Sequence, residues 1–388
     1  MGMTITEKIL ARAGGTAKVS PGDVAVVDVE TACLLDLSFL PEGWREVLKV
    51  ADPSKVVDAD VIGAITGGVY TGMQAFQTTY GTLGFFPKIL IAPNYSQDAA
   101  VATALTAMAS KVRAIALVDS PPATSAAAAI TNRGVVGNGF ASSSSRAVLC
   151  YPQETFFDTG IVSTGVTLNA SGLPLMSQFN ANAVAPYSQW VAGAMAAKDL
   201  AQGYWWSPSN TEVDGMLGPD VQLYASILDA SSDVNGLNAA GIVTVFNAFG
   251  TGLRVWGNRS AAFPTSTTPD NFISVRRTMD VIEESVELAM LQFIDQPISN
   301  ALIDAILASA NAFIRSLIQR GALVAGAASF NPAENPSAQI AGGQLVFDID
   351  VMPPPPAERI TFEAFIDVTL LQQLGQTSPI TVAAGATA

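Results

Sequence analysis

Three short apolar runs, residues 88–92 (Lys-Ile-Leu-Ile-Ala), 113–118 (Arg-Ala-Ile-Ala-Leu-Val) and 146–151 (Arg-Ala-Val-Leu-Cys-Tyr), are separated by two stretches of Ala-rich, helix-forming sequence. Runs this short and unbroken suit strands covered on both faces, since a half-exposed strand would alternate polar and apolar residues. Each run ends at punctuation: Pro93-Asn94, then Asp119 before Pro121-Pro122, then Pro152. A helix capped by Ser96 is expected from Gln97 to about Lys111, and a second from Thr124 to Thr131. Strand, helix, strand, helix, strand predicts a parallel βαβ-type sheet, so the chain is read as α/β with a mixed α+β character overall.

The 388 residues carry 19 basic and 33 acidic side chains and no histidine, a formal charge of −14. That balance excludes a nucleic-acid binder working through clustered Lys and Arg. Without histidine the chain lacks the commonest general base and metal ligand, and neither a catalytic residue, a metal nor a cofactor is expected. Charged residues make up 13%, about half the ~25% usual for soluble domains, so broad surfaces are expected to be covered by partners. Cys33 and Cys150 fall in no CxxC pattern, which leaves no thiol framework for zinc or an iron–sulfur cluster and suits a reducing setting. Glu7, Lys8 and Arg12 interrupt any signal-peptide core, and no uncharged apolar run reaches the ~18 residues of a spanning helix, so membrane insertion is not expected.

Residues 1–60 have their own character, with an amphipathic helix at 6–13 and an alternating strand at 24–29. Residues 152–180 read as an elaborated loop or hairpin, 185–198 as a helix, and 242–246 as an alternating strand. Two long helices follow. The first, 272–294, aligns Val275, Met279, Ile282, Val286, Met290 and Phe293 in one stripe; the second, 299–320, does so with Leu302, Ile306, Phe313 and Leu317 and is stopped by Gly321. Residues 345–351 alternate, four prolines fill 353–356, and a last strand from Arg359 places Ile360, Phe362, Ala364, Ile366 and Val368 on one face. A terminal strand set off in this way either edges its own sheet or is donated to another chain.

Asp119, at the carboxyl end of a parallel strand, invites a nucleotide-site reading. The phosphate loop is missing, however: Gly137-Asn138-Gly139 half resembles a GxGxxG turn but precedes a strand, where the fingerprint must follow one and open a helix. A structural βαβ unit is the reading preferred. Glu283, Glu284 and Glu287 form a charged patch with Glu283 and Glu287 one turn apart, which suits a solvated or intersubunit face better than acid/base work. Asp348 and Asp350, two apart on a strand, carry the same reading.

The most specific string is Arg254-Val255-Trp256-Gly257-Asn258-Arg259, a tight strand-to-loop junction with glycine for positive φ, Trp256 as a core anchor and two flanking arginines. Followed by Val275-Arg276-Arg277-Thr278-Met279-Asp280 at the start of a long helix, it resembles the C-terminal domain of the contractile tail sheath proteins of myophages and R-type pyocins. Residues 71–75, 87–93, 100–104, 111–116, 206–210 and 356–362 are similar to that family in order and spacing, so the resemblance covers about 61–370. It implies a non-enzymatic virion subunit that forms a homo-oligomeric helical stack of rings, expected to be hexameric. Its partners would be the tail tube, baseplate and tail terminator proteins. Contraction would drive the tube through a bacterial envelope, after assembly in the host cytoplasm.

Under that resemblance, residues 61–235 form an outer domain and 236–388 an inner, tube-facing one with two long helices packed on a sheet. Residues from about 357 to 370 are a strand donated to a neighbour. Glu283, Glu284 and Glu287 would meet cations of an adjacent subunit, and Arg315 and Arg320 would face the tube. Residues 1–60 depart from the family and resemble the opening of the large subunit of aconitase-type dehydratases. That enzyme family needs three cluster-binding cysteines, whereas this chain has two cysteines and no histidine. An α/β enzyme acting on a nucleotide or small molecule is the alternative reading.

Overall fold

The computed structural model describes residues 56–158, 180–226, 229–247, 250 and 252–373. The expectations for residues 1–55, for Cys33 and for the centre of the 152–180 stretch lie outside them. The chain divides into a unit of residues 1–356 and a second of residues 357–388, each described by itself.

The first unit opens with helix α1 (Asp58–Ile62), the paired short strands β1 (Ile65–Thr66) and β2 (Val69–Tyr70), a 3-10 segment at Gly72–Thr78 and helix α2 (Thr79–Leu83). Strand β3 (Ile89–Ile91), helix α3 (Ala99–Lys111), strand β4 (Ile115–Asp119), helix α4 (Ala126–Asn132) and strand β5 (Ala147–Cys150) follow. The three apolar runs are therefore strands, and they pair in parallel in sequence order. Every residue of β4 and β5 is buried, so a polar residue in either, such as Asp119 at the end of β4, must find its hydrogen bonds inside the protein.

Strands β6 (Glu154–Asp158) and β7 (Asn180–Ala185), at the two ends of the 152–180 stretch, pair antiparallel. Next come helix α5 (Ser188–Ala201), strands β8 (Thr211–Glu212) and β9 (Met216–Pro219), helix α6 (Asp233–Ala239), and strands β10 (Ile242–Asn247) and β11 (Leu253–Trp256). The main sheet has the order β3-β4-β5-β10-β11-β8, parallel through β10 and antiparallel beyond it. A separate sheet has the order β7-β6-β9.

Each crossover from β3 to β10 adds its strand on the same side, so right-handed connections carry their helices to one face. Ala102 of α3, Ala129 of α4 and Leu237 of α6 pack there against Val118, Ala147, Leu149 and Ile242. The opposite face is covered by α5, whose Val191, Ala192 and Met195 lie against Ile115, Leu117, Val148, Val243 and Val245. Alternate side chains of each strand thus serve two different cores.

Helix α7 (Ile273–Met290) runs on into a 3-10 turn at Leu291–Phe293. Helix α8 (Asn300–Gln319) begins at Ser299, whose hydroxyl accepts from Leu302 N, and ends before Gly321 in the left-handed region (φ +77°). Strand β12 (Ala325–Ser329), helix α9 (Ser337–Ala341) and strand β13 (Asp348–Met352) complete this unit, with β12 and β13 antiparallel. The apolar stripes of the long helices meet where Ile282 joins Ala310, Ile314 and Leu317 over Ala328.

Several expectations are corrected. Asp98, not Ser96, caps α3: its carboxylate accepts from Ala100 N at 2.8 Å, because the Ser96 hydroxyl is bonded to Asp119. Strand β10 is buried along Ile242–Phe246 rather than half-exposed, since it lies inside the sheet. Just after the division expected between residues 235 and 236, a boundary that this pairing neither moves nor fixes, β10 pairs with β5 and the main sheet continues to Trp256. In the second unit, residues 357–367 have no regular secondary structure and Val368–Gln373 form a 3-10 turn. The strand expected through Val368 therefore does not form within the chain. Helix α8 is 20 residues long with mean hydropathy 1.6 over its most apolar window, enough by length and composition alone to cross a membrane. Asp304 and Arg315 interrupt it, so it holds no uncharged run of spanning length.

Candidate functional site

At the carboxyl end of the sheet, Asp119 is 1% exposed and engaged on every side. Its carboxylate accepts from Ser188 N (2.7 Å), Ser188 Oγ (2.6 Å) and Ser96 Oγ (3.0 Å). Ser188 is the first residue of α5, so the carboxylate closes that helix's N-terminus, where negative charge is favoured. Burial raises its pKa to about 6 against the lowering effect of those bonds. Strand order never reverses between β3 and β10, so the parallel strands hold no switch-point crevice. Asp119 is a structural tie. Gly139 is likewise a packing residue, for a Cβ there would stand 2.7 Å from the Ser96 carbonyl.

Behind this corner lies a group that sequence reasoning missed. Glu154, first residue of β6, is fully buried, neither carboxylate oxygen has a hydrogen-bond partner, and burial reinforced by the Asp220 charge raises its pKa to about 9. Arg133 was missed too. Its guanidinium donates to the backbone carbonyls of Ala240, Ala261, Phe263 and Ser142, joining α4 to the end of α6 and to the chain leading toward α7. Burial lowers its pKa. Carbonyl partners leave no trace in a sequence, which is why neither pattern nor charge pairing points to it.

The 254–259 junction is built as its residues suggest. Gly257 has φ +128°, and a Cβ there would lie 3.0 Å from Val243 Cα and 2.9 Å from the Asn238 amide. Trp256 is half-buried rather than fully buried; it packs on Phe246 with ring centroids 4.8 Å apart, and a correctly turned Asn238 amide accepts from its indole N–H at 3.0 Å. Arg254 reaches Glu212 at 3.3 Å. Arg259 lies over the Phe272 ring (3.7 Å) and the Phe263 ring (4.5 Å) and bonds Asn271. The Asn258 carbonyl accepts from Ile273 N at 2.9 Å, starting α7. The 206–210 string meets the junction, with Ser209 Oγ accepting from Gly257 N and Asn210 N donating to the Val255 carbonyl. Two motifs distant in sequence thus form one joint.

The acids of α7 find their partners inside the chain. Glu284 pairs with Lys88 (2.5 Å), Glu287 takes both terminal nitrogens of Arg113 (2.6 Å each), and Glu283 meets Arg276 (3.2 Å) and Arg113 (3.5 Å). One turn earlier Asp280 receives both terminal nitrogens of Arg146 at 2.6 Å, and Arg276 at 2.8 Å. The bond from Arg113 lowers the Glu287 pKa, and the same bond raises that of Arg113. These acids therefore have cationic partners within their own chain, and contact with another subunit's cations is a separate proposal. Arg277 is paired in the same manner with Asp199 of α5.

On α8 the outward face consists of Ala301, Asp304, Ala305, Ala308, Ala312, Arg315 and Gln319, all exposed. Arg315 belongs to that face; Arg320, one residue past the helix, lies over the Trp205 ring at 5.3 Å. Asp350 of β13 is exposed and Asp348 half-buried. In the second unit Ile360 is 71% exposed, Phe362 90%, Ile366 97% and Val368 68%; Arg359 and Ala364 are exposed as well. Among the described residues no group of three or more acidic or thiol side chains could hold a metal.

The family model of the phage tail sheath protein central domain matches residues 68–261, and that of the phage tail sheath C-terminal domain matches residues 265–367. The chain is 45% identical over 318 residues to the tail sheath protein of Burkholderia phage BcepMu, an alignment covering 81% of this chain and 63% of that protein. It thus spans less than two thirds of that relative's length. The sheath of an extracellular contractile injection system, the PVC sheath complex in contracted state, is similar in fold, with a TM-score of 0.59 at 19% identity over 84% of this chain and 85% of that one. A 93-residue match, 22% of this chain and 21% of the enzyme, is 39% identical to the large subunit of 3-isopropylmalate dehydratase from Mycolicibacterium smegmatis.

Proposed function

Because the chain belongs to the phage tail sheath family, we propose that it is the structural subunit of a contractile tail sheath that polymerises around a tail tube and contracts to drive the tube through a bacterial envelope. Its role is mechanical, with no catalysis, and its place is the virion. Rings of subunits, expected to be hexameric, stack helically between the baseplate and the tail terminator. Residues 61–235 lie outermost, and the segment with α7 and α8 lies toward the tube. The outward face of α8, small side chains with Asp304 and Arg315 among them, suits a surface along which a tube must slide.

The observation that carries the reading is an unsatisfied one. Strands β12 and β13 pair only with each other among the described strands, and so small a sheet leaves both outer edges open. The residues beyond Pro356 carry Phe362 and Ile366 at least nine-tenths exposed. Apolar side chains held in water and an unpaired sheet edge are complementary liabilities. A second copy removes both when the segment from Arg359 adds to its edge, with backbone pairing giving affinity and alternate side chains filling pockets.

The test is deletion of residues 357–388. The truncated chain should fold and stay monomeric, while the full chain forms rings or tubes under negative-stain microscopy. Tubes of normal width from the truncated chain would mean that the segment joins nothing.

A further inference from the structure

The ion pairs of α7 follow a geometry that chance placement would not give. Asp280, Glu283, Glu284 and Glu287 share one helix face, and at ~1.5 Å per residue they span about 10 Å. Arg146, Arg113 and Lys88 stand just ahead of β5, β4 and β3, three adjacent parallel strands, and two gaps of ~4.8 Å spread them over nearly the same distance. The helix brings acids to the starts of all three strands, though not in strand order: Asp280 meets Arg146 before β5, Glu284 meets Lys88 before β3, and Glu283 and Glu287 meet Arg113 before β4.

The attachment is graded. All buried residues of α7 lie at or before Ile282, and the Arg146–Asp280 side chains are 14% and 4% exposed. Past Ile282 nothing on α7 is buried, the Glu287 side chain is 62% exposed, and Leu288, Leu291 and Ile294 stand 45–64% exposed. A groove of about 490 Å³ lies beside this end, lined by Tyr80, Phe86, Arg113, Glu287, Leu288 and Leu291 among others. The first half of α7 is held by packing and a buried bidentate pair, whose separation would strand a charge; the second half is held by Val286 against the α8 cluster, by the Lys88–Glu284 pair, whose ammonium is buried, and by the exposed Arg113–Glu287 pair, the weakest of these ties.

Arg113 itself stands where a glycine is expected. It follows the last residues of α3 with φ +50°, and the Ala114 N–H returns to the Ala109 carbonyl at 2.8 Å, so it holds the left-handed position of a helix-terminating Schellman turn. An arginine there accepts steric strain that glycine would avoid, and what it gains is the two-pronged contact with Glu287.

We propose that these pairs form a graded ionic latch, in which the second half of α7, pivoting near Asp280, opens from the sheet by release of Arg113 and Lys88 while Arg146–Asp280 stays closed. The latch gives the C-terminal helices a hinge that responds to ionic strength, because exposed pairs are screened as the Debye length falls from ~10 Å at 0.1 M salt to ~3 Å at 1 M. This goes beyond the sheath reading and holds whatever the chain's partners.

Arg113→Gly separates the latch from a mere structural role, since glycine relieves the turn while removing the charge. Amide hydrogen exchange of the full chain is measured by mass spectrometry at 0.05 and 1 M salt, comparing residues 284–290 with 274–282. The expected result is exchange of 284–290 faster by roughly two- to fivefold in Arg113→Gly, with 274–282 unchanged, and a similar acceleration of the parent chain at high salt. Glu287→Gln, on a surface residue, should do the same less strongly, and adding it to Arg113→Gly should change little further. Unchanged exchange at 284–290 in Arg113→Gly, or equal acceleration along the whole helix, would overturn the latch.

Discussion

Glu154 offers a test in which sign and size both follow from geometry. Its folded-state pKa, raised by burial and then by the Asp220 charge, is about 9, against an ordinary 4.5. Between those values the unfolded chain carries an ionised glutamate and the folded chain a protonated one, so folding takes up a proton. Stability from this group is greatest below pH 4.5 and is lost as pH rises toward 9. The loss is about 1.4 kcal/mol per pH unit, which makes roughly 3 kcal/mol between pH 6.5 and 8.5. Asp119 has the same sign, but with a pKa of about 6 it has largely ionised in the folded state before that window opens. Cys150, raised well above 9.0 by burial, contributes only once the unfolded thiol begins to ionise.

Glu154→Gln keeps the shape and removes the titration. Urea unfolding of the full chain at pH 6.5, 7.5 and 8.5 measures it. Fluorescence of Trp190, whose ring packs on Phe156 at 6.1 Å, reports on the same strand. The parent chain should lose about 3 kcal/mol across the window and the variant should be nearly flat, so that the variant is the more stable at pH 8.5. The buried amide brings donors without partners, which shifts the variant's curve down by a constant but leaves its slope untouched. Equal slopes in the two proteins would refute the argument, because Glu154 would then be ionised or solvated in the folded chain.

Two further outcomes are expected. Gly257→Ala places a Cβ 3.0 Å from Val243 Cα at φ +128°, and should cost roughly 2–3 kcal/mol by urea unfolding; an unchanged midpoint would mean that the junction relaxes freely. Arg315→Glu should leave empty polymers intact and weaken co-sedimentation with tube at least several-fold, since the residue is exposed and touches no core; loss of the polymers themselves would place this face of α8 between subunits instead.

What the sequence discloses depends on how far apart the interacting residues lie. Strands β3, β4 and β5 were legible because burial on both faces forbids polar residues, and the 254–259 junction because Gly, Trp and Arg each have a local reason to be there. The cap of α3 was misassigned since Ser96 and Asp98 are equally good caps, and the choice is made by Asp119, 23 residues away. Arg276 is a partner within helical reach, but Arg146 and Arg113 lie 134 and 174 residues back in the chain from Asp280 and Glu287, beyond any helical periodicity. A signal for them did exist: each of the three apolar runs begins with a single cation, Lys88, Arg113 or Arg146. Read as a β/α repeat, that places three positive charges along one sheet edge. Glu154 has no comparable mark, because a lone glutamate at a strand start is ordinary until its burial is known.

The same arrangement accounts for the scarcity of charge noted at the outset. Lys88, Arg113, Arg146, Arg254, Arg276 and Arg277 are all engaged with acids of their own chain, and Arg133 with its own carbonyls. Among the described residues, seven of the thirteen basic side chains are tied into such internal joints. The outward face of α8 shows the consequence, with four alanines among its seven positions. Small uncharged side chains cost little conformational entropy to cover and let another backbone approach closely. A surface of that kind suits a helix that other chains cover, while the ion pairs hold the joints on which its position depends.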